Sequence, residues 1–404
     1  MVNINRLMNK RKKLLIGGGI GLYLAVTGVS WAAFAYFNHQ GATIINPTSQ
    51  GEQGDQIVAL GPRDQECPLN GAYFTKTERD LWQTRRPLTA TIENHLEARP
   101  QSGLSRADVV YEVVAEGGIT RFLAVFYCQA ALKAEEKYDI GPVRSARTYF
   151  LDWASEYGDY PLYVHVGGAG ECGDLTVREE ARALCQIRQY GWMNKGTWSD
   201  LNQFSLSYRE CRRDTRLGAD IATEHTVYCD TPALWEKAAQ RGLTNKTTQT
   251  GDDWNKNFRP WLFKEEEILA NRGDVAEIEV YFWSNQPNYD VIWRYDKEKN
   301  IYLRYNGEEA QKDFINDETL SAKTVIVQFA RERGPFGENK HLLYDVIGTG
   351  QLLVFQDGQA KRGTWEKQSR TSRTRFFDNT GAEIRLNRGP IWIGVVPAGN
   401  TIKF

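Results

Sequence analysis

The chain has 404 residues, of which 41% are hydrophobic and 25% are charged, and this composition excludes a disordered or collagen-like chain. Fifty basic residues are matched by fifty-one acidic ones, so the net charge of -1 gives no support to nucleic acid as a partner. At roughly 100 to 200 residues per domain, the length predicts two or three domains.

An uncharged and mostly apolar segment near the N-terminus predicts a transmembrane anchor. It runs for 24 residues from Leu14 to Phe37, whereas about 20 apolar residues are enough to cross a bilayer. The tail before it, residues 1–13, carries five basic side chains, and the first acidic residue of the chain is Glu52. The positive-inside rule then places the N-terminus in the cytoplasm and the rest outside. We therefore expect a single-pass protein of the cell membrane with its bulk in the extracytoplasmic space.

A cleaved signal peptide is the alternative, because residues 33–35, Ala-Phe-Ala, resemble a signal-peptidase site. The apolar run is longer than the roughly 7 to 15 residues of a signal-peptide core, which favours an anchor that is retained. Either interpretation exports the remainder of the chain. Residues 38–60 are rich in Gly, Gln, Asn and Ser, and they predict a flexible tether with a reach of roughly 25 Å.

The six cysteines all follow the predicted anchor: Cys67, Cys128, Cys172, Cys185, Cys211 and Cys229. Their even number fits disulfides in an oxidising compartment, although six cysteines allow 15 pairings and the sequence does not choose among them. Six buried free thiols are the alternative, since cysteine is common in protein cores. No two cysteines have the C-x-x-C spacing of a zinc or redox site, so we expect no metal and no cofactor.

Residues 61–244 alternate short apolar strands with helical stretches, which predicts a layered α/β (α+β) N-terminal domain with a mixed sheet. The expected strands are LTATIEN, DVVYEVVAE, TRFLAVFYC and PLYVHV, and the expected helices are SARTYFLDWASEY, VREEARALCQIRQY and TPALWEKAAQ. In the last of these helices we expect Thr231 as the N-cap and Pro232 in the first turn.

Residues 274–404 predict a β-rich C-terminal domain, and residues 245–273 predict a connector between the two halves. A two-residue turn is expected at Asp357-Gly358. The expected strands include VAEIEVYFW, DVIWRY, IYLRYNG, TVIVQFA, QLLVFQDG, AEIRL and PIWIGVVP. We find no repeat of fixed period, so neither a propeller nor a solenoid is predicted.

The segment from residue 89 to 128 carries the most promising polar residues. A hairpin around the Gly-Gly pair at 117 and 118 is predicted to place Val114 opposite Arg121. In this register Glu112, Glu116 and Arg121 share one face of the sheet, because side chains alternate along a strand. A shift of one residue would move Arg121 to the face opposite both glutamates.

Two interpretations of this face remain open. A cross-strand salt bridge on a solvated face requires no ligand. A polar pocket would instead use Glu116, or Glu93 at the end of the preceding strand, as an acid, a base or a hydrogen-bond acceptor for a sugar-like or peptide substrate. Glu112 and Glu116 are roughly 13 Å apart along the strand, which is too far for a pair of glycosidase carboxylates.

Two arginines follow the Gly-Pro turn of IGPVRSAR, at the start of a helix that Ser145 is expected to cap. Together with free backbone N–H groups, Arg144 and Arg147 favour an anionic group such as a carboxylate or phosphate. The alternative is that they bind acids of the protein itself, including Glu112 or Glu116.

His165 lies in the apolar strand LYVHV, which is followed by two glycines. It is either a satisfied core histidine or a side chain that the strand end presents to a cleft. The sequence contains no G-x-S-x-G, S-x-x-K or H-E-x-x-H motif, so it offers little support for a nucleophile or a zinc protease.

Four segments resemble the bacterial YerB-like lipoprotein family: CPLNG (67–71), RRPLTATIENHLEARPQSGLSRADVVYEVVAEGGITRFLAVF (85–126), IGPVRSARTYFLDWASEY (140–157) and VHVGG (164–168). KTVIVQFA, GTGQLLVFQDGQAKRGTW and RGPIWIGVVP are similar to the C-terminal domain of that family. The resemblance implies an envelope location and a layered α/β fold, and it supplies no catalytic residues because the function of the family is unknown. No lipobox cysteine lies near the apolar segment, so we expect the helix to replace lipid attachment.

We expect an anchored extracytoplasmic binding or regulatory module that contacts cell-wall material or an envelope protein. The expected ligand-binding residues are Glu112, Glu116, Arg121, Arg144, Arg147 and His165. The alternative is a hydrolase or lyase acting on envelope glycan or peptide, with Glu93 or Glu116 as acid or base and the arginines orienting the substrate. The sequence leaves open whether the protein is an enzyme.

Overall fold

The computed structural model describes residues 61–133, 137–284 and 286–404. The predicted anchor and tether, residues 14–60, lie outside the described residues. In the part of the chain that is described, none of the helices has the length and apolar character that a bilayer crossing needs. The described residues form one compact unit by their internal contacts.

Short elements make up most of the described chain. The strands of its first half are β1 (Gln65–Glu66), β2 (Tyr73–Phe74), β3 (Leu88–Glu93), β4 (Val109–Glu116), β5 (Ile119–Phe126), β6 (Asp139–Ile140), β7 (Leu162–His165), β8 (Asp200–Asn202), β9 (Cys211–Arg213) and β10 (Val227–Asp230). Those of its second half are β11 (Phe263–Lys264), β12 (Glu277–Val280), β13 (Val291–Asp296), β14 (Ile301–Asn306), β15 (Glu309–Ala310), β16 (Ser321–Ala322), β17 (Thr324–Phe336), β18 (His341–Asp345), β19 (Gly348–Gln356), β20 (Gln359–Lys367), β21 (Arg375–Asp378), β22 (Leu386–Asn387), β23 (Ile391–Pro397) and β24 (Ile402–Lys403). The α-helices are α1 (Lys76–Trp82), α2 (Cys128–Ala131), α3 (Thr148–Ala154), α4 (Ala183–Gln189) and α5 (Thr231–Gln240).

Eleven of the described strands form one mixed sheet, in the order β21-β20-β19-β17-β23-β4-β5-β3-β7-β8 with β18 paired to β17. The pairs β17 with β23, β23 with β4, β3 with β7 and β7 with β8 are parallel. Because β5 is antiparallel to both of its neighbours, β3 and β4 also run in the same direction. The carboxyl ends of these parallel strands therefore lie along one edge. The sheet takes strands from both sides of the predicted connector, residues 245–273.

Both faces of the large sheet are covered, which explains the nearly continuous apolar run of β4. On one face Tyr111 of β4 stacks on Trp153 of α3, with ring centroids 5.0 Å apart. On the other face Trp392 of β23 contacts Trp293, with centroids 5.3 Å apart. Trp293 belongs to a second sheet of six strands, ordered β15-β14-β13-β12-β24 with β16 on β14. Helix α3, the large sheet and the second sheet form three layers. The second half of the chain is β-rich, as predicted.

The predicted hairpin of β4 and β5 is confirmed, but its predicted register is wrong by one residue. Val113 pairs with Arg121, where we expected Val114, and Glu112 pairs with Phe122. Directly paired residues lie on the same side of a sheet, so Glu112 and Arg121 point to opposite faces.

A β-bulge at the end of β4 explains why Glu116 nevertheless shares the face of Arg121. The pairing shifts between Val114 and Glu116, and Glu116 lies opposite Ile119. The extra residue of the bulge, Ala115, reverses the alternation of side chains for the last position of the strand. Glu116 therefore lies on the same face of the sheet as Arg121, and Glu112 lies on the opposite face.

Two predicted helix caps also differ from the structure. Helix α3 begins at Thr148, so Ser145 lies outside it and is not its cap. Helix α5 begins at Thr231, and its N-cap is Asp230, whose side chain accepts a hydrogen bond from the third helical N–H group. Pro232 lies in the first turn as predicted.

All six cysteines form disulfides, so the prediction of disulfides is confirmed and the alternative of free thiols is wrong. The pairs are Cys67–Cys128, Cys172–Cys185 and Cys211–Cys229. The first pair fastens the start of the described chain to the residues that follow β5.

Candidate functional site

Five of the seven residues singled out in the sequence come together at the edge formed by the carboxyl ends of the parallel strands. We call them the charged row: Glu93, Glu116, Arg121, Arg144 and Arg147. Glu93 and Glu116 are the last residues of β3 and β4. This edge is where open sheets with parallel strands commonly bind ligands, because the strand ends leave a crevice between the following loops.

Glu93 forms the inner end of the charged row and is only 2% exposed. It pairs with Arg121 across β3 and β5, and it forms an ion pair with Arg144. Burial alone would raise the pKa of Glu93, but Arg121, His225 and Arg144 outweigh it and lower the pKa to about 2. Glu93 is therefore ionised at neutral pH.

Glu116 forms the outer end of the charged row. Arg147 donates a hydrogen bond from Nε to Oε1 of Glu116, and Nη2 of Arg121 lies 3.4 Å from Oε2. Burial raises the pKa of Glu116, but the two guanidinium groups outweigh it, so the pKa lies below its ordinary value. Arg121 thus lies between the two carboxylates, and its side chain is 6% exposed.

The segment that carries the other two arginines is fixed between the ends of β3 and β7. The N–H of Arg144 donates to the carbonyl of Thr91 at 2.8 Å, and the N–H of Ala146 donates to the carbonyl of Gly167 at 3.0 Å. The segment therefore runs as an extra extended piece along the sheet edge, where the sequence predicted the start of a helix. This placement brings Arg144 to Glu93 and Arg147 to Glu116. The arginines thus bind acids of the protein itself, but Glu112 is not one of them.

An open groove of about 510 Å³ lies beside Glu116 and Arg147. Its other walls include Ser145, Gly168, Gly170, Asp174, Thr176, Asn339 and His341. Burial, together with the positive charge of Arg147, lowers the pKa of His341 below its ordinary value, so this imidazole is neutral at neutral pH. The groove is therefore lined mainly by polar groups and exposed backbone around one ion pair.

Glu112 lies on the opposite face of the large sheet and is fully buried. Its Oε1 accepts hydrogen bonds from Arg304 and from Thr120, both at 2.9 Å, and its Oε2 accepts one from Nε1 of Trp392 at 3.0 Å. These contacts join the large sheet to the second sheet. Glu112 is therefore part of the packed interior rather than of the groove.

His165 is also fully buried. Its Nε2 lies 2.6 Å from Oδ1 of Asp200 and its Nδ1 lies 2.6 Å from the carbonyl of Gly167. Tyr163 stacks on the ring with centroids 5.1 Å apart. With both nitrogens occupied, the side chain has the environment of a satisfied core histidine, the first of the two interpretations considered for it.

A second polar cluster, which the sequence reasoning did not single out, lies next to Glu93. It consists of His95, Glu97 and His225, whose nearest donor atoms all lie within 4.8 Å of one another. His95 and Glu97 follow β3 directly, so their closeness to Glu93 was available as a signal. His225 arrives from a distant part of the chain, just before β10, and no local pattern marks it.

Another cavity lies away from the charged row. It measures about 430 Å³, and no member of the charged row lines it. On its wall the fully buried Glu156 pairs with Lys367 at 3.0 Å and with Arg373 at 3.1 Å. These ion pairs join α3 and the residues after it to the second half of the chain.

Residues 74–244 match the N-terminal domain, and residues 278–393 match the C-terminal domain, of the family described as "Protein of unknown function (DUF3048)". The chain belongs to this family.

One relative is "Putative lipoprotein YerB" of Bacillus subtilis (strain 168). The two sequences are 45% identical over 333 residues, and this aligned region covers 82% of this chain and 86% of that protein. The crystal structure of YerB protein from Bacillus subtilis matches this fold with a TM-score of 0.63 at 25% identity, covering 84% of this chain and 100% of that chain. The predicted resemblance to the YerB-like family is confirmed.

Proposed function

We propose that this protein is a membrane-attached, extracytoplasmic binding module that takes charged cell-wall material in the groove beside the charged row. Membrane attachment is supported by the apolar segment of residues 14–37 and by the lipoprotein name of the Bacillus subtilis relative. An extracytoplasmic location is supported by the three disulfides, which form and persist in oxidising compartments.

The observation that carries the binding role is the ion pair of Glu116 with Arg147 on the wall of the groove, with Arg121 buried behind it. Side chains of Glu116 and Arg147 remain 22% and 11% exposed, so both charges reach the groove from fixed positions. A ligand that itself carries carboxylate, amine and hydroxyl groups, as the peptide and glycan of the cell wall do, finds partners of both signs there. Fixed partners lower the entropy cost of binding, because they are not ordered by the ligand.

The competing hypothesis of acid/base hydrolysis gains less support from the same residues. A general acid must hold a proton at the working pH, and the arginines keep Glu116 ionised. Glu93 is nearly inaccessible behind Arg121 and Arg144, so a substrate in the groove has no direct path to its oxygens. A fixed array of paired charges favours recognition over proton transfer.

Co-sedimentation with purified cell wall tests the proposal. The full-length chain, purified in mild detergent with its disulfides intact, is incubated with insoluble wall, and the bound fraction and any released products are measured. We expect retention without release, and we expect Arg147→Gln to reduce retention at least fivefold. The matched control is Arg209→Gln, which removes an exposed arginine that pairs with Glu236.

Two outcomes of this experiment would overturn the proposal. One is absence of retention, and the other is equal retention of the parent and of Arg147→Gln. Release of wall fragments that Glu116→Gln abolishes would instead establish the hydrolase or lyase hypothesis.

The orientation of the protein in the membrane can be tested separately. A protease added to intact cells is expected to cut within residues 38–60 and to release the folded part into the medium. Protection of this segment until the cells are opened would contradict the extracytoplasmic location.

A further inference from the structure

We propose that His95, Glu97 and His225 bind one divalent cation of the Zn²⁺ class, with a coordination position left open to solvent. This site does not depend on wall binding in the groove. The nearest possible ligand atoms of the three side chains all lie within 4.8 Å of one another.

His225 is the buried member of the cluster, with a side chain only 7% exposed. Its Nδ1 faces Oε2 of Glu93 at 3.6 Å, and its Nε2 faces Oε2 of Glu97 at 3.8 Å. Within the described chain, Nδ1 has no hydrogen-bond partner. The ring therefore lies between two carboxylates without a close contact to either.

The separation of His225 and Glu97 suits a bridging cation. An ion at about 2.0 to 2.2 Å from each ligand atom spans the 3.8 Å between Nε2 of His225 and Oε2 of Glu97. The other ring nitrogen, Nδ1, then still faces Glu93.

His95 completes the cluster from the turn that follows β3. Its ring stacks on the ring of His225, with centroids 4.6 Å apart and planes 5° from parallel. Its Nδ1 accepts only a weak hydrogen bond, at 3.3 Å, from the N–H of Glu97. Two stacked, parallel rings cannot both direct an in-plane nitrogen lone pair at one ion, so metal binding requires His95, which is partly exposed, to turn out of the stack.

The donor set is that of a zinc site with three protein ligands. Two imidazole nitrogens and one carboxylate oxygen, each at about 2.0 to 2.2 Å, bind Zn²⁺ and leave the fourth tetrahedral position to water. Ligand atoms of such a site are roughly 3.4 Å apart, so separations of up to 4.8 Å must shorten by up to about 1.4 Å. The side chain of Glu97 is 50% exposed and can make this movement without disturbing the core.

Glu93 then supports the site from behind. Histidines that bind metals commonly donate their second N–H group to a carboxylate, which orients the ring and fixes its tautomer. The ion pair of Glu93 with Arg144 holds that carboxylate in place. Ca²⁺ and Mg²⁺ fit this set poorly, because they prefer oxygen ligands throughout.

Direct titration with Zn²⁺ tests the site. The full-length protein in detergent micelles is stripped with EDTA, dialysed against metal-free buffer and titrated with ZnCl₂ in competition with a chromophoric chelator. We expect one Zn²⁺ per chain at the tight site, undisturbed by a hundredfold excess of Mg²⁺. Glu97→Gln and His95→Asn should each weaken that binding at least tenfold.

Two features keep the result interpretable. Glu97 and His95 are not buried, so their variants are expected to fold, and circular dichroism confirms this before titration. Glu171→Gln is the matched control, because Glu171 is an exposed glutamate paired with Arg188, and it should bind Zn²⁺ like the parent.

Two results would overturn the proposal. If no Zn²⁺ binds at one equivalent, the three side chains form a polar cluster that does not bind metal. If both variants bind Zn²⁺ as tightly as the parent, the metal lies elsewhere in the protein.

Discussion

Glu112 on β4 and Arg304 on β14 form a fully buried ion pair, with 2.9 Å between Oε1 and Nη2, although 192 residues separate them in the chain. Arg304 also stacks over the ring of Trp392, with its guanidinium carbon 4.7 Å from the centroid. The pair joins the middle of the large sheet to the second sheet, and so it joins the two family domains of the chain.

Removing only one partner of this buried ion pair should destabilise the folded protein. Arg304→Met leaves the Glu112 carboxylate buried without its counter-charge, and we expect the free energy of unfolding to fall by about 3 to 5 kcal/mol. The double variant Glu112→Gln/Arg304→Met buries no charge and should recover about half of that loss or more. Urea unfolding followed by tryptophan fluorescence measures both. Arg294→Met is the control, because Arg294 on the neighbouring strand pairs at the surface with Glu277 and Glu308 and should cost at most about 1 kcal/mol.

The sequence predicts the strands around the site well, because their signal is local. Runs such as VVYEVVAE and ITRFLAVF are apolar along their whole length, and the glycines at 117 and 118 provide the positive φ angles of the hairpin turn. Placing Glu93 and Glu116 near the site needs only the positions where β3 and β4 end. These parts of the fold and the site follow from short-range physics.

The sequence does not reveal which face each side chain occupies. A single bulged residue, Ala115, separates Glu112 from Glu116, and nothing in the local pattern distinguishes a bulged from a regular strand. The partner of Glu112 is equally hidden, since Arg304 lies on a strand of another sheet. Reasoning from alternation alone therefore grouped two glutamates that the bulge directs to opposite faces.

The cluster of His95, Glu97 and His225 was missed for a related reason. The expectation of no metal rested on cysteine spacing, and no comparable spacing links His225 to the other two residues. Only the tertiary fold brings the start of β10 to the end of β3, because the turns between them are long and irregular. Contacts of this kind depend on packing rather than on periodicity.

The ion pairs of Glu116 should make stability sensitive to acid. Its pKa is lowered from 4.5 in the folded state, so the unfolded chain takes up the proton first as the pH falls. The stabilisation is complete above pH 4.5 and is lost progressively below it. Glu116→Gln should lower the free energy of unfolding by about 1 to 3 kcal/mol at pH 7, and the difference from the parent should shrink below pH 4.5.

Urea midpoints measured from pH 7 to pH 3 check this prediction, and Glu332 provides a control of opposite sign. Burial raises the pKa of Glu332 above 4.5, so its ionisation weakens the fold as the pH rises. The stability of Glu332→Gln relative to the parent should therefore increase as the pH rises toward neutral. A constant difference between Glu116→Gln and the parent across the range would contradict the assigned pKa direction.

His165 should behave as a structural residue. His165→Asn leaves the buried Asp200 without its 2.6 Å partner, and we expect a loss of about 2 to 3 kcal/mol in the free energy of unfolding. Retention on purified cell wall should match the parent at temperatures where the variant stays folded. A selective loss of retention with unchanged stability would instead assign His165 to ligand binding.

The three disulfides should contribute unequally to stability, because they close loops of different length. Cys67–Cys128 spans 61 residues, whereas Cys211–Cys229 spans 18 and Cys172–Cys185 spans 13. On the chain-entropy estimate the longest loop is worth about 4 kcal/mol and the two shorter loops about 3 kcal/mol each. Paired Cys→Ser variants of each disulfide, compared by urea unfolding, measure the order.

The disulfide that closes the longest loop, Cys67–Cys128, should also contribute most to stability for a second reason. Cys67 and Cys128 are fully buried, and the N–H of Cys128 donates at 2.9 Å to Asp108, which also accepts the side chain of Asn70. Loosening this disulfide exposes a buried carboxylate network as well as a loop. We therefore expect Cys67→Ser/Cys128→Ser to unfold at the lowest urea concentration of the three variants. A larger loss for Cys172→Ser/Cys185→Ser would contradict the order expected from loop length.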